Sequence, residues 1–143
     1  MPGFVAHYSH GEGDAVAIVL LRFRESLTSR TPEFQLLARE LGMQVVAMRP
    51  VVVAPRDLDE AAWREELARL RGSPSLRGLT SEEHMLKLRS ARDNYERNFC
   101  LLRQPFIKDD RLTVEDRISQ AERQLSEEID VLRFSVYRSS DAQ

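Results

Sequence analysis

Apolar positions along the chain change their period several times, and each change predicts an element. Phe4, Val5 and Ala6 form a short patch suited to an edge strand, and His10-Gly11-Glu12-Gly13-Asp14 follows as turn material. The aliphatic, β-branched run from Ala15 to Arg24 reads as a strand buried on both faces, with Asp14 as the cap of a helix the competing reading. Thr31-Pro32-Glu33 has the residue types of a helix start: a capping hydroxyl, a proline at the first helical position and an acid at the positive end of the dipole. Phe34, Leu37, Ala38 and Leu41 then give one apolar face, and Gly42 is expected to stop the helix in a left-handed conformation. Met43 to Pro55 reads as a second strand, with Pro50 marking a bulge, an edge position or a break. The first 54 residues therefore read as βαβ.

Asp57 and Glu60 have capping-box spacing ahead of a helix to Arg71, ended by Gly72 and carrying Trp63 at a core margin. Thr80 and Glu83 open the next helix, in which Met85, Leu88, Arg92, Tyr95, Phe99 and Leu102 fall at alternating steps of three and four. Gln104-Pro105 stops it, and Phe106 to Leu112 connect it to a helix started by Thr113 and Asp116. Val114, Ile118, Ala121, Leu125, Ile129, Leu132 and Val136 make its stripe, and two such stripes on a short link are expected to fold back antiparallel. The alternative is that Val131 to Tyr137 leaves the helix as a strand, because Phe134, Val136 and Tyr137 are strand-prone.

The predicted fold is thus α+β: a small N-terminal βαβ unit followed by helices, ending in a long antiparallel helical hairpin. Residues 1–72 form the α/β part, 73–79 a linker, 80–138 the hairpin, and 139–143 a disordered tail. Burying five or six large side chains per helix at ~1.5–3 kcal/mol each is of the same order as the cost of ordering ~40 residues. Such a hairpin has to pack on the α/β part, on a second copy, or on a partner.

Charge changes the picture only by exclusion. Residues 1–55 carry five basic and five acidic side chains, 56–79 again five of each, 80–112 seven against six, and 113–143 four against seven. No stretch has the clustered excess of Lys and Arg that duplex phosphates require. One cysteine, Cys100, permits no internal disulfide, the first residues lack the basic and apolar regions of a signal peptide, and the longest apolar run, Ala15 to Leu21, is far short of the ~20 residues that span a bilayer. A cytoplasmic location and no membrane association are expected.

Candidate chemistry is sparse. His7 and His10, near Glu12 and Asp14, are metal-ligand types without H-x-x-x-H or H-E-x-x-H spacing, so no metal site is assigned and a small metal-dependent enzyme is the last alternative. Gly11-Glu12-Gly13 precedes an apolar run rather than following a strand, so it does not cradle phosphate. Cys100 is separated from His84 by about 24 Å of continuous helix, which rules out a dyad. Ser26, Thr28, Ser29 and Arg30 lie beyond a strand end and before a helix N-terminus, where α/β folds bind anions.

In layout, βαβ followed by a hairpin resembles the N-terminal domain of HflX-type GTPases, a ribosome-associated family. The local likeness lies in Leu36, Leu37, Ala38, Leu41, Gly42, Val45 and Val46 and in Glu115, Asp116 and Arg117, while that family's glycine-rich signature and GTP-binding domain are absent. The function expected from the residues is a non-catalytic interaction or assembly module without cofactors. It would bind a protein partner or a second copy through Met85, Leu88, Arg92, Tyr95, Phe99, Leu125, Ile129 and Leu132. An RNA- or ribosome-associated domain using Arg89, Arg92, Arg97 and Arg103 is the alternative, nucleic acid being the less favoured partner.

Overall fold

A tight connection built on Gly11 and Gly13, both left-handed at φ 66° and 82°, folds strand β1 (Gly3–His10) back onto β2 (Ala15–Arg22). The computed structural model, which describes residues 1–142, pairs these two strands antiparallel from Gly3 with Arg22 to His10 with Ala15. The chain then runs through helices α1 (Pro32–Met48), α2 (Glu60–Arg71) and α3 (Ser81–Phe99). A small ribbon of β3 (Pro105–Phe106) and β4 (Asp109–Thr113), helix α4 (Val114–Leu125) and strand β5 (Asp130–Arg138) complete it. Strand β5 pairs antiparallel with β2, giving the order β1-β2-β5 with a bulge between Leu20 and Leu21. Helix α1 packs on β1 and β2, and α4 packs on α1. Among the described residues no helix is long and apolar enough to cross a membrane.

The expected C-terminal helical hairpin does not exist. Helix α4 ends at Leu125 with Ser126 left-handed, and residues 130–138 are a strand. The stripe Ile129, Leu132 and Val136 satisfied a helical period, yet β-branched and aromatic residues dominate that segment, and a free edge of β2 was available to complete its ladder. The α4 stripe of Val114, Ile118 and Ala121 is instead buried in the core shared with α1 and the sheet. Of the segment 139–143 expected as a tail, Ser139–Ala142 form a 3₁₀ turn, with the Ser139 amide donating to Asp14, and Gln143 lies outside the described residues.

The βαβ expectation fails at the same level. Residues 43–48 are not a strand: α1 runs through Gly42 to Met48, and Arg49, left-handed at φ 49°, caps it before Pro50. Steps of four from Leu37 to Leu41 to Val45 extend one buried stripe, and packing on the sheet outweighs the strand preference of two valines. Strand β2 is buried on one face only: Ala17, Val19 and Leu21 point into the core, while Ile18 is 39% exposed on the open face.

Gly42 serves close approach rather than termination, since a Cβ there would lie 2.6 Å from Tyr8 Cβ on β1. Gly42→Ala is therefore expected to destabilise the fold by about 1–3 kcal/mol through overpacking, although alanine favours a helix by about 1 kcal/mol. Urea denaturation measures this, and a stabilised variant would show that α1 and β1 can separate without cost.

Two buried glutamines join α1 to the chain after α3. Gln44 Nε2 donates to Gln104 Oε1 (3.2 Å) and to the Pro105 carbonyl (3.0 Å), and Gln44 Oε1 accepts from the Ile107 amide (2.9 Å). Gln104 Nε2 donates to the carbonyls of Met48 (3.0 Å) and Asn98 (3.1 Å), so the ends of α1 and α3 are held together by satisfied buried amides. Helices α2 and α3 bury no residue completely and meet through side chains, with Trp63 and Tyr95 centroids 4.9 Å apart and Arg92 lying 5.0 Å over the Trp63 ring.

Candidate functional site

Two buried rings delimit the loop between β2 and α1. Phe23, next after the strand, is 1% exposed, and Phe34, in the first turn of the helix, is 0% exposed; their centroids lie 5.0 Å apart. The Phe23 amide donates to the Pro2 carbonyl (3.1 Å), which fixes the loop's start. At its end Thr31 caps α1: its Oγ1 accepts from the Phe34 amide (3.2 Å) and donates to the Thr28 carbonyl (2.7 Å). Ser26–Arg30 between them form a 3₁₀ turn.

The middle of the loop is held from across the sequence by Glu127, which follows α4. One carboxylate oxygen, Oε1, accepts from the amides of Arg24 (2.9 Å) and Glu128 (3.0 Å), and the other, Oε2, accepts from the Glu25 amide (3.0 Å) and the Thr28 hydroxyl (2.8 Å). Burial raises the pKa of Glu127, but these four donors together outweigh it and hold the carboxyl below its ordinary range. Arg24 also pairs with Glu128 at the surface. The loop tip is left to solvent: Leu27 is 69% exposed and no side chain of the 3₁₀ turn is buried.

Ser26, Thr28, Ser29 and Arg30 are thus brought together in one turn, with the Thr28 hydroxyl and the neighbouring amides committed to a carboxylate of the protein itself. The Ser29 hydroxyl donates to the Ser26 carbonyl (3.1 Å) and the Ser29 carbonyl accepts from Gln35. Sequence reasoning missed both Leu27 and Glu127. A lone large apolar residue in a polar loop was the available signal for Leu27; nothing local marks Glu127, whose partners are about a hundred residues away.

The eight side chains expected to bind a partner are dispersed. Tyr95 and Phe99 meet edge-on (4.7 Å) beside Trp63, Arg92 pairs with Glu96 (2.8 Å) and Glu60 (3.4 Å), and Leu88 is half-buried on α3. Leu125 packs against the core and Ile129 belongs to it, whereas Met85 (62%) and Leu132 (42%) are exposed in different elements. Of the arginines expected to meet nucleic acid, Arg92 and Arg103 lie beside carboxylates, Arg103 approaching Glu96 (3.8 Å) and Glu115 (3.7 Å), while Arg97 donates to the neutral Asn94 amide (3.0 Å).

His7 and His10, three apart on β1, emerge on opposite sides of the strand, and His10 Nδ1 meets the Tyr8 hydroxyl (3.1 Å). Among the described residues no group of three or more metal-ligand side chains gathers anywhere. Cys100 is fully buried, and burial first, then the nearby Glu96 carboxylate, pushes its thiol pKa up, away from the reactive thiolate. The loop between Phe23 and Phe34 is thus a turn fixed at both ends and in its middle, with an exposed tip at Leu27.

The family model described as Elongation factor TS matches residues 2–139. Elongation factor Ts of Maridesulfovibrio salexigens is 33% identical over 141 residues, covering 98% of this chain and 68% of that protein. The Moorella thermoacetica protein of the same name is 35% identical over 136 residues, covering 94% of this chain and 66% of the relative, and that of Lawsonia intracellularis is 29% identical over 134 residues, covering 92% and 45%. The chain therefore spans from under half to about two thirds of the length of these relatives. These matches overturn the expectation of a generic assembly module with its RNA-binding and metalloenzyme alternatives, and the layout likeness to HflX-type GTPases lapses with the hairpin that carried it. On a match that leaves out only the first residue and the last four, this chain belongs to the elongation factor Ts family.

Proposed function

We propose that the chain acts in translation by promoting guanine-nucleotide exchange on elongation factor Tu, and that the Phe23–Thr31 loop is one of its contact surfaces. The observation that carries this reading is the family match over residues 2–139, which takes in both the loop and the Glu127 that organises it. The loop supports a role by contact: its ends are anchored in the core, its middle is held by a carboxylate, and its tip exposes Leu27. A preorganised loop loses little conformational entropy on docking, and an apolar side chain at its tip gains by burial. The partner in this reading is a different protein and not a second copy of the chain. Met85 and Leu132, both exposed, are assigned as further contacts.

The test uses elongation factor Tu from the same organism, loaded with a fluorescent GDP analogue. Adding the chain is expected to accelerate GDP release, and Leu27→Ala to lower that acceleration about tenfold, as a contact residue does. The same substitution should change stability by no more than about 0.5 kcal/mol because the side chain is exposed. Unaltered release together with no complex on gel filtration overturns the proposal.

A further inference from the structure

Glu127 is buried, and its carboxylate accepts four hydrogen bonds, two at each oxygen. Three of the four donors come from the loop, and the fourth is the amide of the next residue. The backbone around Glu127 is itself fixed, since its amide donates to the Glu122 carbonyl (3.0 Å) and the Ile129 amide donates to Glu122 Oε2 (3.0 Å). The carboxylate is therefore delivered to the loop from a rigid junction between α4 and β5. Phe23 and Thr31 alone would anchor the ends and leave the amides of Arg24 and Glu25 without these partners.

We propose that Glu127 is the positioning residue of the partner-binding loop: it never touches the partner, and it sets the conformation in which Leu27 is presented. This rests on the loop being a contact surface for elongation factor Tu. The chemistry of the clamp makes it specific to a carboxylate of this length. Glutamine keeps the shape but replaces one oxygen by an NH₂, which would oppose either the Arg24 and Glu128 amides or the Glu25 amide, where only the Thr28 hydroxyl could turn to accept from it; in both cases at least one loop amide loses its acceptor. Aspartate is one methylene too short to reach the loop from the same backbone. On the loop side Thr28→Val removes one donor without changing shape, and Thr28→Ser retains it.

The deciding experiment measures GDP release from elongation factor Tu with the full chain, Glu127→Gln, Leu27→Ala and the double variant, alongside amide hydrogen exchange of residues 24 and 25 and circular dichroism. Glu127→Gln is expected to keep the native spectrum, to lose protection at whichever of the Arg24 and Glu25 amides meets the NH₂, and to release GDP about tenfold more slowly. In the Leu27→Ala background the same change should have no further effect on release while still exposing that amide. A residue that merely stabilised the fold would add its loss to that of Leu27→Ala. Activity of Glu127→Gln within about twofold of the parent, or additive losses, overturns the inference while the exchange function stands. An inactive parent chain overturns the exchange reading and this inference together. Should Glu127→Gln fail to fold, the pair Thr28→Val and Thr28→Ser decides by the same criteria: loss with valine and rescue with serine is expected, and equal activity of the two overturns it.

Discussion

Phe34→Ala is expected to lower the stability of the chain by about 3–5 kcal/mol, a large part of the roughly 5–15 kcal/mol available to a domain of this size. The ring is fully buried, with Phe4 edge-on at 5.3 Å and Phe23 at 5.0 Å, so its removal forfeits apolar burial, leaves a cavity between sheet and helix, and breaks two aromatic contacts. Thermal unfolding should shift down by roughly 10–20 °C, and urea titration should show a lower midpoint with an unchanged slope. Leu36 provides the control from the neighbouring helical position: it is 53% exposed, and its replacement by alanine should stay within about 0.5 kcal/mol. A loss below about 1 kcal/mol at Phe34 would mean that the core collapses around the gap. Because Phe34 lies just beyond the loop and Phe23 just before it, the same cavity should loosen the presentation of Leu27 in variants that still fold.

Where the sequence was legible, the signal was a local hydrogen bond. Thr31 does cap α1, Thr80 Oγ1 accepts from the Glu83 amide (3.2 Å), and Thr113 and Asp116 satisfy one another's amides at the start of α4 (3.1 and 2.9 Å). Each of these motifs closes within four residues, so tertiary structure has little power to overrule it; the Asp57–Glu60 box fails by a local shift, with Asp57 accepting from the Ala54 amide (3.1 Å) and Asp59 capping α2 through the Ala61 amide (3.0 Å). Helix ends were read less well. Gly42 has the residue type of a stop, but the space beside Tyr8 gave it another use, and the helix continued to a left-handed arginine. The segment from Ile129 to Val136 is compatible with both periods; β2, exposing its second edge, chose between them. The candidate site was half legible: the loop's position between a strand and a helix cap could be read from the chain, whereas its clamp joins residues about a hundred apart and leaves no local trace.

The ion pair between α1 and α4 is where a single substitution and a double one should give opposite results. Glu40 Oε1 accepts from Arg117 Nε (3.0 Å) and Nη2 (2.7 Å), the two side chains are 11% and 12% exposed, and the guanidinium lies 5.9 Å over the Phe106 ring. Desolvating both ions costs much of what their attraction returns, so the pair contributes little net stability, yet either ion left alone in that setting is expensive. Glu40→Ala is accordingly expected to cost about 3–5 kcal/mol, whereas Glu40→Met combined with Arg117→Met should lie within about 1 kcal/mol of the parent or above it. Urea denaturation of both variants decides; a double variant as unstable as the single would show the pair to be a true net stabiliser. The pair also bears on the loop, because α1 begins where the loop ends and α4 ends just before Glu127. If its role is to fix how these two helices lie against each other, the double methionine variant should fold as well as the parent while hydrogen exchange at the Arg24 and Glu25 amides rises, since the carboxylate that holds them would no longer be delivered to one position.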